Sequence, residues 1–244
     1  MSIYSMNKDN YIIHKNKDRG FSDHGWLQSA FSFSFAQWYE PTRMGFGTLR
    51  VINDDSIAPQ NGFGFHPHQD MEIISILLDG ELSHKDTMDN QETIKQGEVQ
   101  RMSAGTGVLH SEMNNHKTKY AKLFQIWIET KKKGIKPSYE QKFFDEQKRK
   151  NTLQLLVSPN GQDGSVSIHQ DAYISRIKLD KNKEFIYSNY HKDNGVYILI
   201  IEGEVIINSI QLHQRDAIGI TNEKEILFEA KINSDILVLE IPMN

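Results

Sequence analysis

The sequence predicts an all-β fold made of two β-sandwich or barrel units, and two observations lead to this prediction. The strongly apolar segments of the 244-residue chain are short and rich in β-branched and aromatic residues, as strands are; they span residues 73–78, 123–128, 153–157, 196–201, 205–207 and 236–241. Turn-forming pairs recur along the chain, at Asp79-Gly80, Asp89-Asn90, Gln96-Gly97, Asn160-Gly161, Asp163-Gly164, Asn194-Gly195 and Glu202-Gly203. Short strands with frequent tight turns favour antiparallel sandwiches or barrels over alternating strands and helices.

Helix is scarce in this prediction. One segment, residues 139–150 (YEQKFFDEQKRK), has helical composition. We expect it to form either a helix or a polar linker that crosses between domains.

The chain contains a weak internal repeat with an offset of 123 residues. Residues 76–81 (ILLDGE) resemble residues 199–204 (LIIEGE), and each copy combines an apolar run, an acidic-Gly turn and a second strand. The repeat predicts two related β-domains, which we place at residues 1–135 and 136–244. The alternative is that two unrelated hairpins share this short pattern.

The composition excludes several classes of function. The chain has 28 basic and 32 acidic residues, a net charge of −4 and no cysteine. Any metal must therefore be held by histidine and carboxylate side chains, and disulfides or a thiolate nucleophile are impossible. The slightly acidic balance gives no broad positive field for nucleic acid, and we interpret the basic runs 131–133 and 148–150 as solvated loop charges. Because we find neither a secretory signal nor an apolar segment of about 18 residues, we expect a cytoplasmic protein with no membrane partner.

Two pairs of metal-binding side chains stand out: His66 with His68 in GFGFHPHQDMEI, and His110 with Glu112 in GTGVLHSEMN. On a strand, residues i and i+2 point to the same face, about 6.6 Å apart. Two such strands could converge four ligands on one divalent ion. At six-coordination, two adjacent positions would stay open for a bidentate substrate, or for a substrate and dioxygen. Glycines that allow close backbone approach or a bulge flank the pairs, at Gly62, Gly64, Gly105 and Gly107.

These motifs resemble those of the cupin superfamily, with HxHxxxE starting at His66 and GxxHxxxN formed by Gly107, His110 and Asn114. Gly105 stands where the broader cupin motif has proline, as in pirins. Further blocks resemble the pirin family, and especially its bacterial members with quercetin 2,3-dioxygenase activity: HGWL (24–27), FSF (31–33), FA (35–36), YEP (39–41), GFGTLRVINDD (45–55), MSAGTGVLHSEMN (102–114), FQIWI (124–128) and SIHQDAYI (167–174). The resemblance starts near residue 18 and is densest between residues 20 and 128.

The resemblance implies a bicupin, with two jelly-roll barrels and little helix. It implies that the N-terminal barrel, residues 1–135, binds the metal, and that the C-terminal barrel, residues 136–244, has no metal ligands. The ligands carried over from the family are His66, His68, His110 and Glu112. The cofactor is then one divalent transition metal, with iron favoured and manganese, cobalt, nickel, copper or zinc as alternatives, because this donor set suits all of them.

Glu72 is the rival carboxylate, because the general cupin motif uses the glutamate after HxH as a ligand. It lies four residues beyond His68, about 13 Å along an extended strand, whereas Glu112 is two residues from His110. We favour Glu112 as the ligand and expect Glu72 either to orient an imidazole or to be paired elsewhere. Because the spacing of Glu72 from His66 and His68 is even, it could also point inward.

The second copy of the repeat lacks the ligand set. An offset of 123 residues places Asn189 at the position of His66, His191 at that of His68 and Gly195 at that of Glu72. We therefore interpret the remaining histidines of this half as ordinary surface or core residues: His169, His191 and His213.

The resemblance implies a dioxygenase that opens the heterocycle of flavonols such as quercetin and releases carbon monoxide, with Glu112 as the base that takes the proton of the enolic hydroxyl. Its partners would be a planar phenolic substrate and dioxygen. One alternative is a non-catalytic pirin-like regulator or redox sensor that acts through a protein partner, and another is an enzyme for a different enol or catechol.

An aromatic stretch precedes the histidine motifs and comprises Trp26, Phe31, Phe33, Phe35, Trp38 and Tyr39. We expect most of it in the β-core, although part could line an apolar pocket for a planar ligand. His24 could bond a substrate or the backbone at a turn.

Overall fold

The computed structural model describes residues 10–244, which form strands almost throughout, as the all-β prediction requires. Three short 3-10 helices and no α-helix occur among these residues, at Asn16–Asp18, Glu146–Arg149 and Gln162–Gly164. Within the same range, no helix is long and apolar enough to cross a membrane.

The strands of the first half are β1 (Tyr11–His14), β2 (Gly20–Asp23), β3 (Leu27–Phe31), β4 (Leu49–Ile57), β5 (Asn61–His68), β6 (Met71–Asp79), β7 (Glu81–Asp86), β8 (Gln91–Lys95), β9 (Glu98–Ser103), β10 (Val108–Asn114), β11 (Ala121–Glu129) and β12 (Ser138–Phe143). Those of the second half are β13 (Gln154–Ser158), β14 (Val166–Ser167), β15 (Tyr173–Leu179), β16 (Glu184–Ser188), β17 (Asn194–Glu202), β18 (Glu204–Ile207), β19 (Ile210–His213), β20 (Ala217–Ile220), β21 (Glu225–Ala230) and β22 (Ser234–Pro242).

Two sandwiches with the same strand arrangement result from these pairings. The first combines a seven-stranded sheet, β12-β9-β6-β11-β4-β3-β2, with a four-stranded sheet, β5-β10-β7-β8. The second combines β1-β20-β17-β22-β15-β13-β14 with β16-β21-β18-β19. Strands β6 and β17, at corresponding places, are offset by 123 residues at both ends, since 194 − 71 and 202 − 79 are both 123. The sequence repeat is therefore a true structural repeat.

The two seven-stranded sheets pack against each other across an apolar core. From the first sheet, this core takes alternate side chains that include Ile52 on β4, Ile74 and Ile76 on β6, and Phe124, Ile126 and Ile128 on β11. The intervening side chains of the same strands face the interior of the first barrel. Positions 53, 55, 75, 125 and 127 are therefore available to build a site there.

Residues 139–150 do not form the helix that their composition predicts. Ser138–Phe143 is strand β12, which pairs antiparallel with β9, and only Glu146–Arg149 adopts a 3-10 turn. Pairing at a sheet edge outweighs the intrinsic helix preference of the glutamate, glutamine and lysine side chains. The alternative prediction, a polar linker between domains, describes the residues after Phe143, which connect β12 of the first seven-stranded sheet to β13 of the second.

One strand crosses between the halves of the chain. Strand β1 pairs with β20 at the edge of the second seven-stranded sheet, and Tyr11 lies opposite Ile220. Strand β12, in contrast, follows residue 135 and completes the edge of the first sheet. The domain division at residue 135 remains a proposal, and the sheets themselves draw strands from both sides of it.

Phe46 joins the two barrels, and its replacement tests how much the shared core contributes. Its buried ring lies 5.6 Å from the ring of Tyr197 between centroids, and a Cβ added at Gly195 would come within 2.7 Å of it. We expect Phe46→Ala to lower the free energy of unfolding by about 3–5 kcal/mol, through lost burial and an unfilled cavity. In chemical denaturation the matched change Phe21→Ala, at a ring that is 64% exposed, should cost less than about 0.5 kcal/mol. Equal losses in both variants would contradict this.

Candidate metal centre

The two predicted histidine strands are neighbours in the four-stranded sheet. Strands β5 and β10 pair antiparallel, and His66 lies directly opposite His110. His68 follows two residues after His66 on the same face. The strand pairing therefore brings together the three predicted imidazoles, from residues 44 positions apart in the sequence.

The three imidazoles form a compact cluster with nitrogen lone pairs to spare. One nitrogen from each of His66, His68 and His110 lies within 4.8 Å of the others. His66 donates its Nδ1–H to the Gly64 carbonyl at 2.8 Å, which leaves Nε2 as an acceptor. The Nε2 of His68 and both ring nitrogens of His110 are buried without a hydrogen-bond partner among residues 10–244. Buried unpartnered nitrogens are costly, and a divalent cation would satisfy them.

The surroundings keep His68 and His110 in the neutral form that binds metals. Burial, and to a smaller extent the neighbouring imidazole of His66, lowers the pKa of His110 to about 3. Burial is also the main reason that the pKa of His68 is lowered to about 4, and the nearby His110 and His66 contribute to this value. Neutral imidazoles at neutral pH are the donor type that Fe, Ni, Cu and Zn accept.

A register shift between β5 and β10 produces a β-bulge on β5 just before His66. His110 faces His66, but Glu112 faces Phe63, so β5 carries one extra residue. A Cβ at Gly62 would lie 2.1 Å from the Glu112 carbonyl oxygen, which explains the glycine there. A Cβ at Gly64 would meet nothing within 4 Å, so close approach does not require that glycine, but Gly64 lies within the bulge itself, between Phe63 and His66.

The carboxylate of Glu112 is buried and held by the neighbouring sheet. Gln125 donates its Nε2–H to Glu112 Oε2 at 3.1 Å, and the Ser75 hydroxyl donates to Oε1 at 3.4 Å. Trp127 in turn donates its indole N–H to Gln125 Oε1 at 3.2 Å, which fixes the orientation of the Gln125 amide. This chain of donors sets the position of the Glu112 carboxylate.

Glu112 belongs to a second cluster that overlaps the first, formed with His84 and His110. His84 is not free to bind a metal, because Gln100 Nε2 donates to its Nδ1 at 3.0 Å and its Nε2–H donates to Asp86 at 2.9 Å. The three-imidazole cluster is therefore the better candidate, and Glu112 as its fourth ligand remains a proposal.

A row of polar side chains crosses the middle of the buried sheet, and sequence reasoning missed it. Register places Asn53 on β4 beside Gln125 on β11, then Ser75 on β6 and Gln100 on β9. Ser75 and Gln125 each interrupt an apolar segment of the sequence, which was the available signal, whereas Asn53 and Gln100 are followed by charged residues and give no such signal. The corresponding row of the second barrel is Ser175, Val238, Ile198 and Ile218. Among the residues described, the row of the first barrel thus offers four polar side chains to the site, whereas the row of the second barrel offers one, Ser175.

Glu72 lies on the opposite face of the sheet from the histidines. It is buried toward the second barrel, where the Ser103 hydroxyl donates to it at 2.7 Å and His169 Nδ1 lies 3.4 Å away. The inference that even spacing could point Glu72 inward is wrong, because the turn at Asp70 (φ 48°) breaks the alternation between β5 and β6. Of the two expectations for Glu72, pairing elsewhere is the one that the structure shows.

The second barrel has no comparable cluster among the residues described. His191 lies after β16 and its Nε2 contacts the Tyr173 hydroxyl at 3.2 Å. Apolar side chains fill most of the interior of this barrel, with Ile207 at the position that corresponds to His84. Its buried carboxylate, Glu240, accepts hydrogen bonds from the Tyr187 hydroxyl and the Asn194 amide.

A cavity of about 270 Å³ opens beside the imidazole cluster. Its apolar walls include four aromatic side chains, Phe31, Phe35, Phe63 and Trp127, and polar groups that include Ser29, Asn53, Asp55, Glu112 and Gln125 also line it. His24 lines the cavity and bonds the Ser22 hydroxyl at 2.8 Å. Of the aromatic stretch, Phe33 is core, whereas Tyr39 is 71% exposed and was wrongly expected in the core. The cavity suits a planar ligand.

Comparisons with known proteins agree with this site. Two protein-family models match the chain: Pirin over residues 13–128, and Quercetinase C-terminal cupin domain over residues 155–241. A quercetin 2,3-dioxygenase of Escherichia coli (strain K12) is 42% identical over 94% of this chain and 98% of that protein. The chain belongs to the pirin family. This pirin-family protein is also 38% identical to a pirin-like protein of Caulobacter vibrioides, over 91% of this chain and 95% of that one.

Solved structures extend the comparison. A crystal structure of the bacterial pirin YhhW from Escherichia coli in complex with nickel(II) matches with a TM-score of 0.90 and 41% identity, over 95% of this chain and 99% of that chain. A quercetin 2,3-dioxygenase from Acinetobacter baumannii, at 22% identity and a TM-score of 0.80 over 96% and 86% of the two chains, shares the fold. The predicted family and cupin-type fold are confirmed. The nickel complex and the imidazole cluster together support a divalent metal ion in this pirin.

Removal of one imidazole tests the metal centre. We expect His110→Ala to weaken binding of Ni²⁺ at least 100-fold, because two imidazoles alone leave the ion without a closed set of donors. Calorimetric titration of the metal-free protein with Ni²⁺ measures the change. His191→Ala, in the second barrel, is the matched control and should bind one ion as tightly as the unaltered chain. If His110→Ala binds Ni²⁺ as tightly as the unaltered protein, the three imidazoles are not the metal site.

The acid Asp55, in the cavity wall, gives stability a specific pH dependence. Burial raises its pKa to about 7, although the hydrogen bond donated by Ser29 opposes this rise. The unfolded carboxyl titrates near 4, so the folded state loses stability as the pH rises from about 4 to 7. We expect Asp55→Asn to remove about 2 kcal/mol of this loss between pH 5 and 8. Urea unfolding at both pH values measures this change. If the free energy of unfolding changes by the same amount between pH 5 and 8 in Asp55→Asn and in the unaltered protein, the assignment is contradicted.

Proposed function

We propose that this pirin is a metal-dependent dioxygenase that opens the heterocycle of flavonols such as quercetin and releases carbon monoxide. One observation supports it above others: His66, His68 and the buried, oriented carboxylate of Glu112 line one cavity with four aromatic side chains, and the buried His110, which has no hydrogen-bond partner among residues 10–244, completes the imidazole cluster beside it. The relatives that carry the name quercetin 2,3-dioxygenase support the same reaction. Iron is our proposed resident ion, with nickel and the other divalent metals as alternatives.

Each residue of the site has a defined task in this proposal. His66, His68 and His110 would hold the ion, which when bound supplies the positive charge that stabilises an enolate and the redox chemistry that dioxygen requires. Glu112 accepts the proton of the enolic hydroxyl, whether or not it is also a ligand. Gln125 keeps the Glu112 carboxylate in place. The aromatic walls orient the planar rings and exclude water from the reacting edge.

Replacement of the two rival glutamates tests the role of Glu112. We expect Glu112→Gln to keep at least half of the bound metal and to lower the rate of quercetin turnover about 10²–10⁴-fold, as loss of a general base does. The matched variant Glu72→Gln keeps a buried hydrogen-bonding group on the other face of the sheet and should retain turnover. Oxygen uptake and carbon monoxide release measure the reaction, and metal analysis accompanies each assay.

Other outcomes have distinct meanings. Loss of metal in proportion to activity in Glu112→Gln would reduce Glu112 to a ligand. Bound metal without turnover of any flavonol in the unaltered protein would contradict the dioxygenase and favour the non-catalytic regulator.

A further inference from the structure

Strand β4 presents two polar side chains to the cavity, at Asn53 and Asp55. They are two residues apart and therefore share the inward face of the sheet. Neither belongs to the imidazole cluster or contacts it through a hydrogen bond among the residues described. Their presence in an aromatic-walled cavity requires a separate explanation.

Asn53 is a buried amide with unused hydrogen-bonding capacity. It is 4% exposed, and its Oδ1 has no partner within residues 10–244. Its neighbour across the sheet, Gln125, cannot supply one, because the Gln125 amide is engaged by Glu112 and Trp127. A buried unpartnered amide destabilises a folded protein, so a group of this kind is retained where something else binds it.

Asp55 is also only partly engaged. The Ser29 hydroxyl donates to its Oδ1, and its Oδ2 has no hydrogen bond among the residues described. Because burial raises the pKa of this carboxyl to about 7, it carries its proton below neutral pH and can donate as well as accept. Asn53 and Asp55 together therefore offer a donor and an acceptor to a hydroxyl group.

The second barrel shows that the sheet itself does not need these groups. In the corresponding strand β15, register places Ser175 at the position of Asn53 and Ile177 at that of Asp55. That sheet is equally continuous, and apolar side chains fill most of its interior. Ser175 has a buried hydroxyl without a hydrogen-bond partner among residues 10–244, but the second barrel has neither an amide at this position nor a carboxyl at position 177. The sheet therefore forms without an amide at the position of Asn53 or a carboxyl at that of Asp55, and this pair occurs in the barrel that has the cavity.

The register also places the pair at a useful distance from the metal centre. Asn53 lies one strand, or about 4.8 Å, from Gln125, which bonds Glu112. A planar molecule with one edge at the imidazoles and Glu112 would reach β4 with another part of its ring system. We propose that Asn53 and Asp55 form a specificity subsite that binds a second hydroxyl group of the substrate, so that polyhydroxylated flavonols are preferred over those with the enol alone. This inference rests on the proposed function.

Paired ligands test the subsite. Quercetin carries hydroxyls besides its enol, and 3-hydroxyflavone has the enol only. We expect the nickel-loaded, oxygen-free protein to bind quercetin about tenfold more tightly than 3-hydroxyflavone, in calorimetric titrations, as one good buried hydrogen bond provides. In Asn53→Leu and in Asp55→Leu the ratio should fall to about twofold or less, with the affinity for 3-hydroxyflavone unchanged. Asp55→Asn, which keeps a donor and an acceptor, should restore most of the preference.

A second measurement needs no ligand. Removal of an unpartnered buried amide should stabilise the free protein, so we expect Asn53→Leu to raise its Tm by about 2–4 °C. A purely structural role for Asn53 predicts the opposite sign, and a lowered Tm overturns the subsite.

The outcomes separate this inference from the reaction itself. Quercetin turnover with equal affinity for both ligands, or a preference that survives in both leucine variants, overturns the subsite and leaves the dioxygenase in place. A preference that depends on Asn53 and Asp55, without carbon monoxide release, supports the subsite and contradicts the reaction. Failure of both flavonols to bind overturns both.

Discussion

The lone pairs of three clustered imidazoles, two of them partly buried at a cavity wall and one fully buried, are the constraint on which the first barrel depends. His68 and His110 have nitrogens without partners, and the surrounding sheet is built to tolerate and orient such polar groups. The row of amides and hydroxyls across the opposite sheet supplies hydrogen bonds to Glu112 and His84. An apolar row in the same place would leave those groups unsatisfied.

The second barrel is the natural comparison, because it has the same strand order but no imidazole cluster among the residues described. Valine and isoleucine replace the glutamine and serine of the central strands, and apolar side chains fill most of the interior around one buried carboxylate, Glu240. The other face of its large sheet packs against the large sheet of the first barrel across a shared apolar core. Apolar burial in the second barrel and between the two sheets stabilises the chain, whereas the first barrel contains a cavity lined with buried polar groups.

Much of this architecture could be predicted from sequence, for reasons that also explain the failures. The i, i+2 spacing of His66 and His68 has one structural meaning on a strand, and the 123-residue repeat gave the second barrel. Alternation failed for Glu72, because the positive φ of Asp70 resets which face the next strand presents. The supporting side chains, such as Ser75 and Gln125, escaped notice because a single polar residue within an apolar run still predicts a strand; only the register shows what it touches.

The pairing of β1 with β20 has a consequence for synthesis of the chain. Tyr11 and Ile220 are 209 residues apart, since 220 − 11 is 209, and at about 5–20 residues per second the ribosome needs about 10–40 s to make the intervening chain. During that interval the first barrel can form, while Tyr11–His14 waits as an unpaired strand with free backbone donors and acceptors. The order of synthesis thus favours completion of the metal-binding half before the half that braces it, and the exposed edge in between is a point where a nascent chain could pair with the wrong neighbour.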